Sequence, residues 1–310
     1  MILKPELLLT AKRSGLIDAQ TYGFWANYSA KGFLCGTDKT DNYPFFLRSL
    51  AKPIQASLLE DFKTNEYFGF NSEQIALFCA SHTAQNYHLE LVRSVLKKIG
   101  LDETALLCGT HPPFAPREDA LNTPIHNNCS GKHALMLALC VQNGWNIADY
   151  CNLEHPLQKL IYKKHLELSG EKELKHSFDG CSAPVWAMSL EATAKSFLNL
   201  FERYKLIKNA FLAHPLIIGA QNRTDSKIML ASPNLVAKVG AGGFLLVYNV
   251  QKCEALVIRL MQADYSAREL IASYILNRLG WLDEPICEQD IKNIHGTPVG
   301  EYIFCDNIGL

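Results

Sequence analysis

The chain has 310 residues, 48% of them apolar and 20% charged, with a formal net charge of −1. Those proportions describe a globular chain long enough to bury a substantial core, and the near-neutral balance excludes a protein that grips nucleic acid through a basic face. No apolar run approaches the ~18 residues of a membrane-crossing helix. Pro5 and Glu6 interrupt the apolar start that a secretory leader needs, so a cytoplasmic location is expected.

With no internal repeat or linker, the sequence reads as a single domain over 1–310. Residues 20–50 carry aromatics, Gly23, Gly32, Gly36 and the polar turn TDKTDNYP, and are expected to form strands and turns. A helical pattern runs from Ser49 to about Phe62, followed by a short buried helix over 73–80. The amphipathic spacing of Leu89, Leu91, Val92, Val95 and Leu96 predicts a helix over 85–99, stopped by Gly100. Pro112, Pro113, Pro116 and Pro124 mark 104–128 as loop, and helices are expected over 130–142, 155–169, 188–204 and 205–218. The period then changes. NLVAKVGAGGFLLVYNVQKCEALVIRLMQAD reads as three short strands joined by tight turns, before a helix over 266–279 and a last strand over 298–305. Strands at both ends enclosing a helical middle predict an α+β fold, with an antiparallel sheet from about 1–50 and 232–310 and a helix-rich region over about 51–230.

The ten cysteines are dispersed and form no CxxC pair. A cytosolic chain of this size needs no disulfide framework. Cys79, Cys140 and Cys253 lie in apolar runs and are expected to act as small buried hydrophobes. Cys129 and Cys181 differ, because each sits in a Gly/Ser-flanked turn beside ionisable residues.

Three fragments could carry chemistry. Ser49 and Lys52 are three positions apart, which places hydroxyl and amine on one helix face. The lysine can activate the serine only if its surroundings lower its pKa. Alone, such a pair is equally a helix-start serine and a surface lysine. Ser81 and His82 end an apolar helix and could face a cleft, but adjacent residues do not share a helix face, so they are no catalytic pair. Cys129 and Lys132 repeat the three-residue spacing. With Cys181 they suit a soft metal such as Zn²⁺ if the fold brings them together. Lysine is a rare ligand, since its amine must first lose a proton. His133 is the more ordinary donor, but it points ~100° away from Lys132 on an ideal helix. A reactive cysteine and plain structure are the other readings.

Taken together, the fragments resemble the rhizobial-type (class 3) L-asparaginases, the asparaginase II family. The similar segments are RSLAKPIQ (48–55), IALFCASH (75–82), LLCGTHPP (106–113), TPIHNNCSGKHALMLA (123–138), DGCSAPVWAM (179–188), AKVGAGG (237–243) and HGTPVGEYI (295–303), in the family's order along nearly the whole chain. The resemblance implies a serine β-lactamase/glutaminase-like fold, hydrolysis of L-asparagine to L-aspartate and ammonia, and a homodimer. It further implies Ser49 and Lys52 as the catalytic pair, Ser81 as a second catalytic serine, and a Zn²⁺ site of Cys129, Lys132 and Cys181. Arg48, Asp179 and His82 are candidate substrate contacts. The chain departs from the family at Thr83-Ala84-Gln85, where an acidic residue is replaced, in IGAQNRTD, where a second glycine is usual, and at Tyr22, which replaces a histidine. In LVIRLMQAD, Arg259 is aligned with the lysine that serves the second serine. Arginine cannot act as a base. The alternatives are therefore a drifted member that binds an amino acid without hydrolysing it, and a serine amidase or glutaminase with another substrate.

Overall fold

The structure is a computed structural model that describes residues 3–37, 42–112 and 122–305. The expected turn at 37–44 and loop at 104–128 thus fall partly outside the described residues, at 38–41 and 113–121.

Both ends of the chain build the large sheet. β1 (Glu6–Arg13) and β2 (Leu16–Ser29) form a hairpin, and β3 (Gly32–Gly36) folds back on the far end of β2. β4 (Phe45–Phe46), β5 (His176–Phe178) and β6 (Pro184–Met188) make a small separate sheet in the order β4-β6-β5. The C-terminal part supplies β7 (Leu235–Gly240), β8 (Phe244–Asn249), β9 (Glu254–Leu260), β10 (Asp290–Lys292) and β11 (Pro298–Phe304). The large sheet runs β10-β11-β1-β2-β9-β8-β7, and its paired strands are antiparallel. Every residue of β7 and β8 is buried. This explains why these strands read as unbroken apolar runs rather than as an alternation. The fold is α+β, with the sheet formed from the two chain ends as expected.

The helical middle covers the sheet and carries the site. The helix Leu190–Arg203 lies against β2 and β9. It starts at Leu190, two residues later than expected, because Met188 completes β6 and the Ser189 hydroxyl caps the helix through Ala192 N–H. The expected helix over 205–218 is two pieces, Lys205–Ala213 and Pro215–Ile218. Pro215 has no N–H to continue the first one. β5, β6 and β10 were not expected, and at three to five residues they are too short for a periodic signal. Cys79 and Cys140 are buried as expected, but Cys253 is exposed. It occupies the β8–β9 turn with φ +54°, so its apolar neighbours belong to the flanking strands.

Helix Ser130–Asn143 packs on helix Ser72–Cys79 through Gly131. A Cβ at Gly131 would lie 2.6 Å from the Leu77 carbonyl oxygen and 2.8 Å from Leu77 Cγ. The missing side chain therefore lets Cys129 and Lys132 approach the helix that ends at Cys79, two residues before Ser81. Gly131→Ala is expected to cost about 1–3 kcal/mol of stability, read as a lower urea midpoint.

Candidate active site

Four elements converge on one cluster. Ser49 sits in the helical turn Arg48–Leu50, and Lys52 follows in helix Ala51–Ala56. Arg48 has φ +51°, a left-handed conformation that non-glycine residues adopt at a cost and that recurs at functional sites. Ser81 follows the end of helix Ser72–Cys79, its backbone N–H bonded to the Ile218 carbonyl at 3.1 Å. Lys238 projects from the middle of β7.

The Ser81 hydroxyl is held by two lysines. Lys52 Nζ lies 3.0 Å from Ser81 Oγ and also donates to the Ala80 carbonyl at 2.7 Å and the Asn128 carbonyl at 3.0 Å. Lys238 Nζ lies 3.1 Å from the same Oγ and donates to the Val239 carbonyl at 3.0 Å. Behind it stands Asp225, fully buried, with Oδ2 3.5 Å from Lys238 Nζ and 3.3 Å from Val239 N. Among the described residues, the Ser49 side chain makes no hydrogen bond, so it is not joined to Lys52 here. It lines a cavity of about 570 Å³ together with Ser81 and Asn128, and the cavity extends toward Asn222, Tyr265 and Arg268.

Burial governs the electrostatics. It pushes Lys238 down to about 7, against the carboxylate of Asp225 and with help from Lys52 and Arg223. It also lowers Lys52, although the Cys129 and Cys181 sulfurs oppose this. Burial works against the charge of Asp225, yet Lys238, Arg223 and Arg268 together hold that carboxyl below its ordinary range. A lysine that titrates near neutrality beside a serine is equipped to take that serine's proton. Below about 7 Lys238 is protonated and offers no lone pair, so turnover should rise with pH through this value. Asp225→Asn removes the charge that keeps Lys238 up. The acid limb of kcat/KM should move to lower pH in that variant, and an unmoved limb would show that Asp225 does not act on Lys238.

The residues singled out in the sequence fall into three sets. Ser49 and Ser81 meet at the cavity, and Lys52 contacts Ser81. Cys129, Lys132 and Cys181 are buried together next to it, with Lys132 Nζ 3.0 Å from Cys181 Sγ. Cys129 donates to Cys181, which holds the Cys181 thiol well below its ordinary range, with Lys132 and His133 adding to the effect. Burial disfavours the charge on Lys132, but the two cysteines and Asp179 outweigh it and keep the ammonium. Among the described residues no group of three or more His, Cys, Asp or Glu could hold a metal. A metal here must therefore take the lysine. Two soft sulfurs and one amine converging on a buried point fit Zn²⁺, provided the amine gives up its proton.

The third set lies apart from the cavity. Arg48 Nε and Asp179 Oδ1 form an ion pair of 2.5 Å, so each charge is already answered. His82 is buried, with Nδ1 accepting from Ala84 N–H at 3.2 Å and Nε2 2.8 Å from Ser130 Oγ. Burial holds it well below its ordinary range, and the neutral ring braces the turn before Lys132 rather than facing the cavity. Tyr22 is exposed and bonded to Gln20.

Arg259 is the main correction. Its Nη1 donates to the Gly242 and Leu260 carbonyls, and its guanidinium lies between the rings of Phe45 and Phe244, at 5.3 and 5.1 Å. In the sheet Arg259 pairs with Phe244, which pairs with Gly240, so it is two strands away from β7. Two strand spacings are roughly 10 Å, beyond reach of a serine bound to a β7 residue. From the sheet it is Lys238 that reaches Ser81, with Nζ 3.1 Å from its Oγ. A signal was present: in NLVAKVG a single lysine interrupts an apolar run. A charged side chain is rarely taken fully inside unless it is paired or used. Asp225 was missed as well, since nothing in TDS sets it apart. In IGAQNRTD, Ala220 adopts φ +87°, in the left-handed region that favours glycine.

Two serines, Ser49 and Ser81, thus line one cavity, and two buried lysines contact the Ser81 hydroxyl. The sequence model of the L-asparaginase II family matches residues 9–304, and the chain belongs to that family. It is an L-asparaginase-like amidohydrolase. Among curated proteins none matches the chain at a significant level.

Proposed function

We propose that the protein hydrolyses the side-chain amide of L-asparagine to L-aspartate and ammonia, with Ser49 as nucleophile and Lys52, Ser81 and Lys238 as the path of its proton. The observation that carries this reading is the Ser81 hydroxyl held 3.0 Å from Lys52 and 3.1 Å from Lys238 at the wall of the cavity that Ser49 enters. Lys52 makes three hydrogen bonds as a donor, which is the pattern of an ammonium. With Lys238 neutral, a proton passes from Lys52 through the Ser81 hydroxyl to Lys238. The freed Lys52 amine then takes the Ser49 proton as its oxygen attacks the amide carbon. The C–N bond breaks, the departing nitrogen regains a proton from the lysines as ammonia, and water cleaves the aspartyl ester to restore Ser49.

A second reading has Ser81 itself attack, with Lys238 as its base, and the 3.1 Å contact favours it. Acid quenching during turnover, followed by peptide mass analysis, separates the two. The first reading places the aspartyl ester on Ser49, the second on Ser81, and absence of any ester under burst conditions counts against both. The drifted, non-hydrolytic alternative rested chiefly on Arg259, and the amine at Lys238 supplies the base that Arg259 cannot. A glutaminase would show itself by faster release from L-glutamine.

Cys129, Lys132 and Cys181 would hold Zn²⁺, which when bound supplies a fixed positive charge beside the cavity. These residues would tie the turn at 127–132 to that at 179–183, and so fix Asn128, whose carbonyl binds Lys52. Cys129→Ser and Cys181→Ser should each lose at least most of the zinc measured in the parent by elemental analysis. Equal zinc in variant and parent would exclude the site. The family resemblance also supports a cytoplasmic homodimer, which sedimentation of the purified protein tests.

A further inference from the structure

Arg268, in the helix Tyr265–Arg278, lines the same cavity as Ser49 and Ser81. It is only 3% exposed, yet poorly satisfied for a buried guanidinium. Nη1 reaches the Gly240 and Phe244 carbonyls at 3.4 and 3.5 Å, the long limit for hydrogen bonds, and Nε is buried without a partner. Among the described residues, Nη2 has no hydrogen bond either. The acidic groups nearby act on it only through space: Asp225 pairs with Lys238 and Glu269 with Lys227 at 2.6 Å, and neither forms an ion pair with Arg268. The guanidinium lies over the Tyr265 ring at 5.1 Å, but buried donors of this kind are normally hydrogen-bonded, so a half-satisfied fork lining a cavity calls for an anionic, planar partner.

The position suits one end of an amino acid. Arg268 is anchored at Gly240, two strand residues beyond Lys238, or roughly 7 Å along β7. An asparagine with its side-chain amide at the serines, plus one hydrogen bond of ~2.9 Å at its carboxylate, covers a similar span. We infer that Arg268 binds the α-carboxylate of the substrate and thereby selects amino-acid amides over simple amides. The inference rests on the cavity being the amide-hydrolysing site, and it adds the residue that recognises the far end of the substrate.

Calorimetric titration of the intact protein with L-aspartate and with β-alanine, which is aspartate without its α-carboxylate, tests this. The parent should bind L-aspartate well and β-alanine poorly. Arg268→Gln should weaken L-aspartate binding by about 10- to 100-fold and leave β-alanine unchanged, with Arg268→Lys in between. Parent affinity for L-aspartate in an Arg268→Gln variant of parent melting temperature would overturn the inference. If the Gln variant does not fold, the parent alone decides: equal affinity for the two ligands overturns the inference, and a clear preference for L-aspartate that Arg268→Lys diminishes upholds it. Ammonia release separates the two levels. Asparagine hydrolysis with parent KM in Arg268→Gln sinks the inference alone. Aspartate binding that depends on Arg268, without any ammonia release, sinks the proposed activity alone.

Discussion

Lys238→Met should lower kcat/KM for L-asparagine by about 10³-fold, the usual worth of a positioned proton acceptor. The argument rests on place and environment. Lys238 is fully buried, lies 3.1 Å from Ser81 Oγ, and is held by burial at about 7 where an exposed lysine stays charged. Methionine keeps the volume and removes the amine. Burying an amine is costly, but its loss also leaves the buried Asp225 without its nearest cation, so the melting temperature is read beside the rate and the loss counts as chemical in protein that remains folded. Lys238→Arg should be as inactive, because a guanidinium does not release its proton near neutrality. The contrast is Arg259→Lys, which should stay within about threefold of the parent, since its charge sits between two aromatic rings and two carbonyls away from the serines. Ammonia release and circular dichroism on the three proteins check all of this. Activity that survives in Lys238→Met and collapses in Arg259→Lys would reverse the assignment of the second lysine.

Ser81→Ala should be nearly as damaging, with kcat down by about 10²–10⁴-fold and KM little changed. Its hydroxyl is within hydrogen-bond reach of both lysines, so its loss cuts the proton path without removing Ser49. The separation of kcat from KM matters. A serine that merely bound substrate would raise KM and leave kcat close to that of the parent. Restoring a hydroxyl with Ser81→Thr should recover part of the rate if the added methyl is accommodated. Full activity in Ser81→Ala would show that Ser49 and Lys52 work without the second pair.

Much of the architecture is legible in the sequence because its signals are local and periodic. The apolar stripe of 86–98 and Gly100 after it specify a helix end. The apolar runs of β7, β8 and β9 specify buried strands. The cysteines at 129 and 181 stood out through their turns, and the fold does bring them together. What was not legible depends on register and long-range pairing. Arg259 and Lys238 lie on neighbouring stretches of similar apolar character, and only the pairing of β7 with β8 and β8 with β9 shows which of them reaches Ser81. The partner of Lys52 is another instance. Its spacing pointed to Ser49, three residues before it, yet its Nζ is claimed by Ala80, Ser81 and Asn128, groups that lie 28 to 76 positions away in the chain. Asp225 and Arg268 carry no local signature, and become conspicuous only as buried charges at one cavity.

The central claim is that this cluster hydrolyses asparagine through Ser49. The most direct test is ammonia release from L-asparagine by the folded, zinc-loaded protein, beside Ser49→Ala and with L-glutamine in parallel. The account predicts steady release from asparagine that exceeds the Ser49→Ala rate by about 10³-fold or more. Equal rates in parent and Ser49→Ala would contradict the nucleophile, and no release from either amide by the parent would contradict the activity itself.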